Sequence, residues 1–400
     1  MAGPARPDRE RPRVEVAHVL RDHAPGLRLN PDQARVVAAL VACRTAALGG
    51  HLEVCDSCGH SRPAYNSCRD RHCPKCQGLA QELWAEAQEQ RLLPVPYFHV
   101  VFTIPAALHP LFRLAPRTCF GLLFAAVSET LIEVAWRRLK AKVGFVALLH
   151  TWTQKLLFHP HLHCIVPGGG LTADGSQWTS SGERFFLPVR VLRTVFRAKL
   201  LSKLEKALVA GEIPSHEGRG RFLLQQASRT TWVVYAKRPL AGPQQVVRYV
   251  SRYTRRIAIS NSRLLGYDGQ EVTLTWKDRS DGNHRKKLRL PGEEFARRFL
   301  QHVLPSRFVR IRHYGLLGNR SVQQNLDRCR ALLVPHSTDG HRLTVVAPPA
   351  GEDWVQSCRR LYGTDPLLCP ACNNGHLVPR LILPPGIDAL STPYAPRSPP

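Results

Sequence analysis

The chain has 400 residues, and its 56 lysines and arginines outnumber 30 acidic residues, for a formal net charge of +26. Hydrophobic residues make up 44% of it, enough for packed cores, which excludes a chain disordered throughout. The length predicts two or three domains. The charge favours a polyanionic partner, of which nucleic acid is the commonest and a membrane surface the rival.

The sequence predicts neither a membrane span nor an export signal. Its longest apolar run, residues 120–127, is interrupted by Ser128 and Glu129, whereas a spanning helix needs roughly 18 apolar residues. The N-terminal residues lack the apolar core of a signal peptide. We therefore expect a cytoplasmic protein with no membrane partner and no small-molecule substrate.

The predicted elements mix helices and strands along the chain. The Asn30-Pro31-Asp32 sequence is typical of a helix start, and this helix is expected to end at Gly49. Apolar patterning predicts further helices at about 77–92, 119–142, 190–210, 243–256 and 291–303, and strands at 97–104, 145–150, 161–166, 231–236, 271–276, 286–290 and 308–312. Because the order follows no regular strand-helix-strand period, the predicted fold class is α+β with a mainly antiparallel sheet.

Twelve cysteines, several in Cys-x-x-Cys pairs, favour metal binding over disulfides in a chain without an export signal. The pairs Cys55–Cys58 and Cys73–Cys76 are predicted to place four thiolates around one tetrahedral Zn²⁺. Nearby arginines and lysine suit a nucleic-acid-binding surface. Cys68 and His72 are surplus to this set. They either contribute to a second zinc site, replace one of the four cysteines, or are packed and solvated without a metal.

A third Cys-x-x-Cys pair, Cys369–Cys372, lies near the end of the chain with His376 close behind it. It resembles half of a zinc site, and Cys358 is the natural fourth ligand by distance along the chain. A decayed pair, or one completed by a partner, is the alternative. The remaining cysteines are predicted to pack as small apolar residues: Cys43, Cys119, Cys164 and Cys329.

The most informative run is Phe158-His-Pro-His-Leu-His163. On a strand, alternation places His161 and His163 on one face, where two imidazoles converge as a divalent cation requires. Two nitrogen ligands leave coordination positions open, which suits catalysis. The third protein ligand stays open between His159, Gln154 and Asn261.

A predicted helix after Pro243 places Tyr249 and Tyr253 on one face, at positions i and i+4. Taken alone, the pair is typical of core packing. Beside a metal site, a tyrosyl oxygen can instead attack phosphorus. Arginines on the same helix add positive charge and are candidate DNA contacts: Arg248, Arg252, Arg255 and Arg256.

On these residues the sequence resembles the rolling-circle transposases of the insertion sequence 91 type, within the His-hydrophobic-His tyrosine nucleases. The likeness covers residues 15–320 and rests on motifs in the family's order: 66–76, 102–105, 158–163, 168–171, 248–253 and 312–316.

The resemblance implies cleavage of single-stranded DNA at element ends and target, through a 5′-phosphotyrosine and a free 3′-hydroxyl, followed by strand transfer. It implies that His161 and His163 hold Mg²⁺ or Mn²⁺ and that Tyr249 is the first nucleophile. Tyr253 would be the second, although some relatives keep only the tyrosine that matches Tyr249. The implied fold is a central antiparallel sheet flanked by helices, and the implied location is the bacterial cytoplasm, at the nucleoid.

Five consecutive regions are therefore expected: a flexible basic arm, a helical zinc-binding domain for DNA recognition, a catalytic domain, a C-terminal region with a zinc pair, and a disordered proline-rich tail. Their predicted bounds are 1–13, 14–95, 96–320, 321–378 and 379–400. Two other functions fit parts of the sequence. One is a non-catalytic zinc-dependent DNA-binding protein derived from a transposase, and the other is a plasmid-type rolling-circle replication initiator.

Overall fold

The computed structural model describes residues 14–182, 187–215, 218–237, 257–278, 280–333 and 351–387. These residues form two compact units. The first takes its described residues from 1–83, 255–300 and 348–400, and the second from 84–254 and 301–347. The sequence predicted consecutive domains divided at 95 and 320, whereas the first unit is assembled from three separate stretches.

The helical part of the first unit contains α1 (Val16–His23), α2 (Pro31–Ala42) and α8 (Gly292–Leu300). The predicted start of α2 is confirmed, because Asn30 and Gln33 cap each other's backbone N–H groups. The predicted end at Gly49 is wrong, because the backbone at Cys43 is already extended. α8 packs against α1 through buried apolar side chains of both helices.

Two three-stranded antiparallel sheets complete the first unit. One has the order β10-β11-β12, from Leu264–Tyr267, Glu271–Asp278 and His284–Pro291. The other has the order β14-β1-β2, from Leu377–Leu383, Gly50–Cys55 and Ser61–Tyr65. In the second sheet a strand from the C-terminal part of the chain, β14, pairs with a strand from the N-terminal part, β1. This unit also holds α10 (Trp354–Tyr362), and α3 (Gly78–Glu89) follows its cysteine-rich segment in the chain.

The predicted start of the disordered tail, at residue 379, is therefore wrong. Residues 377–383 form β14, whose register with β1 runs from Cys55↔Leu377 to Gly50↔Leu383. Backbone hydrogen bonding to β1 outweighs the proline content of this segment, since Pro379 sits where the register shifts.

The second unit is built on a five-stranded antiparallel sheet with the order β13-β5-β6-β3-β9. Its strands are Ile311–Gly315, Gly144–Trp152, Phe158–Pro167, Tyr97–Thr103 and Val233–Lys237. A small sheet, β4-β7-β8, lies beside it, from Ala141–Lys142, Gly169–Thr172 and Trp178–Ser180. The predicted α+β class with a central antiparallel sheet is confirmed.

Helices α4 (His109–Leu114), α5 (Pro116–Leu139), α6 (Val189–Val209), α7 (Arg219–Arg229) and α9 (Val322–Leu333) flank this sheet. The predicted apolar face of β3 packs toward α6, where the rings of Phe102 and Phe196 meet edge-on with centroids 5.1 Å apart. Both side chains are fully buried, and burial of each contributes roughly 1.5–3 kcal/mol.

One described helix, α5, is long and apolar enough by composition to span a membrane, contrary to the sequence prediction, and most of it is buried. The polar residues that interrupt its apolar run do not interrupt the helix. Ser128 and Thr130 donate their hydroxyl hydrogen bonds to the carbonyls of Ala125 and Ala126. Because α5 packs against α6 inside the unit, its apolarity is explained as that of a core helix.

On the opposite face of the sheet, one end of the strands carries apolar side chains and the other end carries polar ones. At one end, Tyr97, Val146 and Ile165 belong to an apolar cluster that also contains Leu326 and Leu333 of α9. The other end of the same face carries histidines, because the antiparallel register places His150 opposite His161 there.

Candidate active site and metal-binding clusters

Three histidines of neighbouring strands converge at this end of the sheet. Alternation along β6 places His161 and His163 on one face, as predicted, and β5 adds His150 directly opposite His161. The ring of His150 lies 4.2 Å from that of His163 and 5.4 Å from that of His161, centroid to centroid. One ring nitrogen of each lies within 4.8 Å of the others, which is close enough to share one metal ion.

Hydrogen bonds orient two of these rings. Nδ1–H of His161 donates to the carbonyl of His159 at 2.6 Å, so Nε2 of His161 presents its lone pair. Nδ1 of His163 lies 2.7 Å from Nε2 of His99, and the two rings are stacked at 11°. When His163 binds a metal through Nε2, its Nδ1–H donates to His99.

The surroundings favour the neutral form of His150, which is the form that binds a metal. Burial holds the pKa of His150 well below its usual range, and the neighbouring His161, Arg310 and His99 lower it further. Burial also lowers the pKa of His159.

The structure brings the predicted pair together and supplies a third histidine that the sequence analysis missed. The signal was available, since His150 ends a predicted strand, but the partner of that strand was unknown. His159 lies beside His161, with ring centroids 5.2 Å apart, yet it is outside the three-histidine group. Gln154 lies in the β5–β6 loop, and its role as a ligand stays a prediction. Asn261 belongs to the first unit, where its side-chain oxygen accepts the N–H of Val16.

The β5–β6 loop is anchored by His302, another histidine of this unit, which is fully buried. Its Nε2–H donates to the carbonyl of Leu156, and its Nδ1 accepts from the Thr151 hydroxyl, both at 3.1 Å. Both ring nitrogens are thus used within the fold, which identifies His302 as a structural residue that holds the hairpin next to the site.

The predicted nucleophiles Tyr249 and Tyr253 lie outside the described residues. So do the predicted DNA contacts Arg248, Arg252, Arg255 and Arg256.

Eight cysteines of the first unit form two clusters of four. The first cluster contains Cys43, Cys68, Cys73 and Cys76, and the second cluster contains Cys55, Cys58, Cys369 and Cys372. In the first cluster, Sγ of Cys43 lies 3.5 Å from that of Cys73, and Sγ of Cys68 lies 3.8 Å from that of Cys76. In the second, the Cys55–Cys372 and Cys58–Cys369 sulfur distances are both 3.7 Å.

These distances match a zinc tetrahedron. A Zn–S bond of about 2.3 Å places neighbouring sulfurs about 3.8 Å apart. Backbone amides point at the sulfurs, as around a metal-bound thiolate. The N–H of Cys68 donates to Sγ of Cys43, and the N–H of Gly375 to Sγ of Cys372. Hydrogen bonds from the Cys68 and Cys73 thiols lower the pKa of Cys43 to about 7.

The predicted grouping of Cys55, Cys58, Cys73 and Cys76 around one ion is not what the structure shows, because the two pairs belong to different clusters. Cys68 completes the first cluster together with Cys43, which is not merely packed as predicted. Strand pairing determines the partners, since β1 carries Cys55 to the C-terminal segment rather than to Cys73.

Three other predicted ligands lie outside both clusters. Nδ1 of the buried His72 contacts the carboxylate of Asp70 at 2.7 Å. Nε2 of His376 lies 3.3 Å from the carboxylate of Asp365. Cys358 sits on α10 and is absent from both four-cysteine groups, because Cys369 and Cys372 meet Cys55 and Cys58 instead.

Comparison with known proteins decides the family. Residues 16–104 match the family model described as "Transposase zinc-binding domain", and residues 144–325 match "Putative transposase". A protein of Sinorhizobium fredii described as "Putative transposase y4qJ" is 46% identical over 91% of this chain and 94% of its own length. The chain belongs to the transposases of the insertion sequence 91 type.

A more distant relative agrees. The transposase for insertion sequence element IS801 of Pseudomonas savastanoi is 29% identical over 89% of this chain and 84% of its own length. Among solved structures, the metal-bound conjugative relaxase TrwC in complex with oriT DNA is 14% identical. It covers 39% of this chain and 70% of its own, with a TM-score of 0.23. That score is too low to bear on the site.

His99→Ala is expected to weaken Mn²⁺ binding by the transposase roughly 10–100-fold, since loss of an outer-shell partner to a metal-bound histidine has that effect. Isothermal titration calorimetry on the folded variant measures it. His313→Ala is the matched control: His313 is also half-buried on this sheet, but its ring contacts Gln88 rather than a histidine. Equal affinities in wild type and His99→Ala would contradict the assigned role of His99.

Proposed function

We propose that this transposase cleaves and rejoins single-stranded DNA at the ends of its element, through a covalent phosphotyrosine, at the bacterial nucleoid. The observation that carries the proposal is the convergence of His150, His161 and His163 on one face of the central sheet. Three converging imidazoles have the chemistry of a metal site, and they leave coordination positions open for phosphate oxygens.

The donor set fits a divalent cation of the Mg²⁺, Mn²⁺ or transition-metal class, with imidazole favouring the latter. Bound there, the ion would polarise the scissile phosphate and neutralise charge that develops in the transition state. Within the chain, His99 and the His159 carbonyl keep the two β6 imidazoles in the orientation that a ligand needs.

Tyr249 is the proposed nucleophile. Its hydroxyl oxygen gives up the phenolic proton to water and attacks phosphorus. The bond from phosphorus to the 3′-oxygen breaks, and that oxygen takes a proton from water and leaves as a 3′-hydroxyl. The 5′-phosphate stays on the tyrosine, so the energy of the phosphodiester is conserved until another 3′-hydroxyl displaces the enzyme. Tyr253 would form the covalent bond to the second DNA strand. In sequence, Tyr249 follows β9, which is the edge strand that pairs with β3 on the side opposite to β6.

The face of the sheet that carries the three histidines extends onto β9, where its side chains are of types that contact nucleic acid. Tyr235 lies opposite Val101, and Lys237 lies opposite His99. Directly paired residues share a face, so both side chains lie on the face of the sheet that carries the histidines, and both are exposed. An exposed aromatic ring can stack with an unpaired base, and a lysine can contact the backbone phosphate.

The first cysteine cluster is proposed to hold a structural Zn²⁺ in a DNA-recognition surface. Two arginines follow its cysteines directly in the chain: Arg44 after Cys43 and Arg69 after Cys68. Both are exposed, so they can contact phosphates. The acidic residues nearby are engaged, since Asp70 pairs with Arg35 and Glu15 with Lys75.

The test is covalent capture of labelled single-stranded oligonucleotides from both element ends in the presence of Mn²⁺. Wild type is expected to form an adduct that maps to the peptide containing Tyr249, and Tyr249→Phe is expected to lose it by at least roughly 100-fold because phenylalanine has no nucleophilic oxygen.

Tyr235→Phe is the matched control, since it keeps the stacking ring on the histidine face and should keep the adduct. An undiminished adduct in Tyr249→Phe, or an adduct on Tyr235, would overturn the assignment of the nucleophile. Absence of any adduct with wild type would favour a DNA-binding protein without chemistry.

A further inference from the structure

The second cysteine cluster joins two segments that lie far apart in the chain. Cys55 ends β1 and Cys58 lies in the turn between β1 and β2, both inside the region that matches the transposase zinc-binding domain. Cys369 and Cys372 come from a hairpin that leads into β14, far outside that region. Cys58 and Cys369 are 311 positions apart in the chain.

The two Cys-x-x-Cys turns are built alike. In each, the residue four positions after the first cysteine donates its N–H to that cysteine's carbonyl: Gly59 to Cys55, and Asn373 to Cys369. Both of these residues have left-handed backbones, with φ of 73° and 51°. In each turn a backbone N–H also donates to a cysteine sulfur at 3.4 Å. Two matching turns facing each other are the usual construction of a four-cysteine zinc site.

The turns also fit closely. A Cβ at Gly375 would lie 2.5 Å from the side-chain oxygens of Asp56 and Ser57 and 2.6 Å from Sγ of Cys55. The N–H of His376 donates to the Asp56 carboxylate at 2.8 Å, and the N–H of Asp56 donates to the carbonyl of His376 at 3.0 Å. The four sulfurs are thus brought together by backbone contacts on both sides.

We propose that Cys55, Cys58, Cys369 and Cys372 bind a second structural Zn²⁺, which fastens the C-terminal segment to the N-terminal zinc-binding domain. The ion cross-links β14 to β1 at the end of the strand pair where Cys55 faces Leu377. The sheet β14-β1-β2 therefore depends on the last part of the chain, and a transposase that ends before Cys369 lacks half of the site.

Metal content measured by mass spectrometry on the purified full chain tests the stoichiometry. Cys369→Ser/Cys372→Ser is expected to hold one zinc ion fewer per chain than wild type, whatever the occupancy of the first cluster and of the histidine group. Cys358→Ser is the matched control, because this cysteine lies outside both clusters, and it should keep the zinc content of wild type. Equal zinc content in wild type and the double variant would overturn the proposal.

Thiol alkylation of wild type gives a residue-specific answer that does not depend on a variant that folds. Cys58 is exposed, so without a metal it should react rapidly. We expect it to be protected together with Cys372 until zinc is chelated, when both are alkylated at least tenfold faster. Protection unchanged by chelation, or rapid alkylation of Cys58 in the zinc-loaded chain, would refute the site.

Gly375→Ala separates this site from the first cluster without removing a thiol. The added methyl group has no room beside Cys55, so this variant should lose the second ion and the protection of Cys58 while Cys43 stays protected. Gly26→Ala, which meets no atom within 4 Å, should behave as wild type. The same zinc content in Gly375→Ala as in wild type would contradict the proposed packing.

Discussion

Replacing His161 and His163 together by alanine is expected to abolish metal-dependent cleavage of single-stranded DNA. Two of the three converging nitrogens disappear, and His150 alone cannot hold the ion against water. Since loss of one outer-shell partner costs roughly 10–100-fold, removal of two direct ligands should reduce cleavage by more than roughly 100-fold. Binding of the same oligonucleotide, measured by fluorescence anisotropy, should change little because the many lysines and arginines of the chain remain to contact its phosphates.

The control for folding is the thermal unfolding midpoint, because His163 is buried and its loss leaves space beside His99. His284→Ala, on an exposed strand of the first unit, should keep both cleavage and metal binding. Full Mn²⁺-dependent cleavage by a folded double variant would show that the histidine group is not the catalytic metal site.

Removal of zinc from the first cluster is expected to unfold the segment between α2 and α3. Cys73→Ser/Cys76→Ser deletes two of its four ligands. A structural Zn²⁺ in a small domain contributes an apparent 10–16 kcal/mol of folding free energy by order of magnitude, so the loss should exceed what this segment's few buried side chains can offset. Limited proteolysis with peptide mapping should show cleavage within residues 43–76, and binding of element-end DNA should fall.

Cys119→Ser serves as the comparison, because Cys119 is a buried core cysteine outside both clusters whose thiol donates to the Leu111 carbonyl. It should keep the zinc and the proteolytic resistance of residues 43–76. A stable, protease-resistant segment in Cys73→Ser/Cys76→Ser would mean that the first cluster is held by packing rather than by metal.

Prediction from sequence worked best where the pattern is local. Alternation along β3 and β6 identified their buried faces, and the Asn30-Pro31-Asp32 signature located the start of α2. The helix predicted at 119–142 is also found, and it continues through Ser128, whose hydroxyl donates its hydrogen bond to the Ala125 carbonyl. What failed was the judgement that polar residues make this run too short to span a membrane, since α5 is long and apolar enough by composition.

For the candidate sites, the chemistry of the ligands was evident from the sequence but their grouping was not. His161 and His163 are neighbours on one strand, so their convergence follows from a period of two. His150 joins them only because β5 pairs with β6 in a register that sets it opposite His161. The cysteines follow the same rule, since each Cys-x-x-Cys pair is local, while its partner pair is chosen by the tertiary fold.

The amino-acid sequence by itself determined that this is a basic, metal-binding α+β protein with paired cysteines and a histidine strand, and its motifs placed it among the transposases. Only the tertiary structure decided that Cys43 joins Cys68, Cys73 and Cys76, that Cys55 and Cys58 meet Cys369 and Cys372, and that a third histidine lies beside His161 and His163. The physical reason is that strand pairing is a long-range choice. Backbone hydrogen bonds between β1 and β14, or β5 and β6, can form in any register that the chain allows, and the packing of both faces selects one.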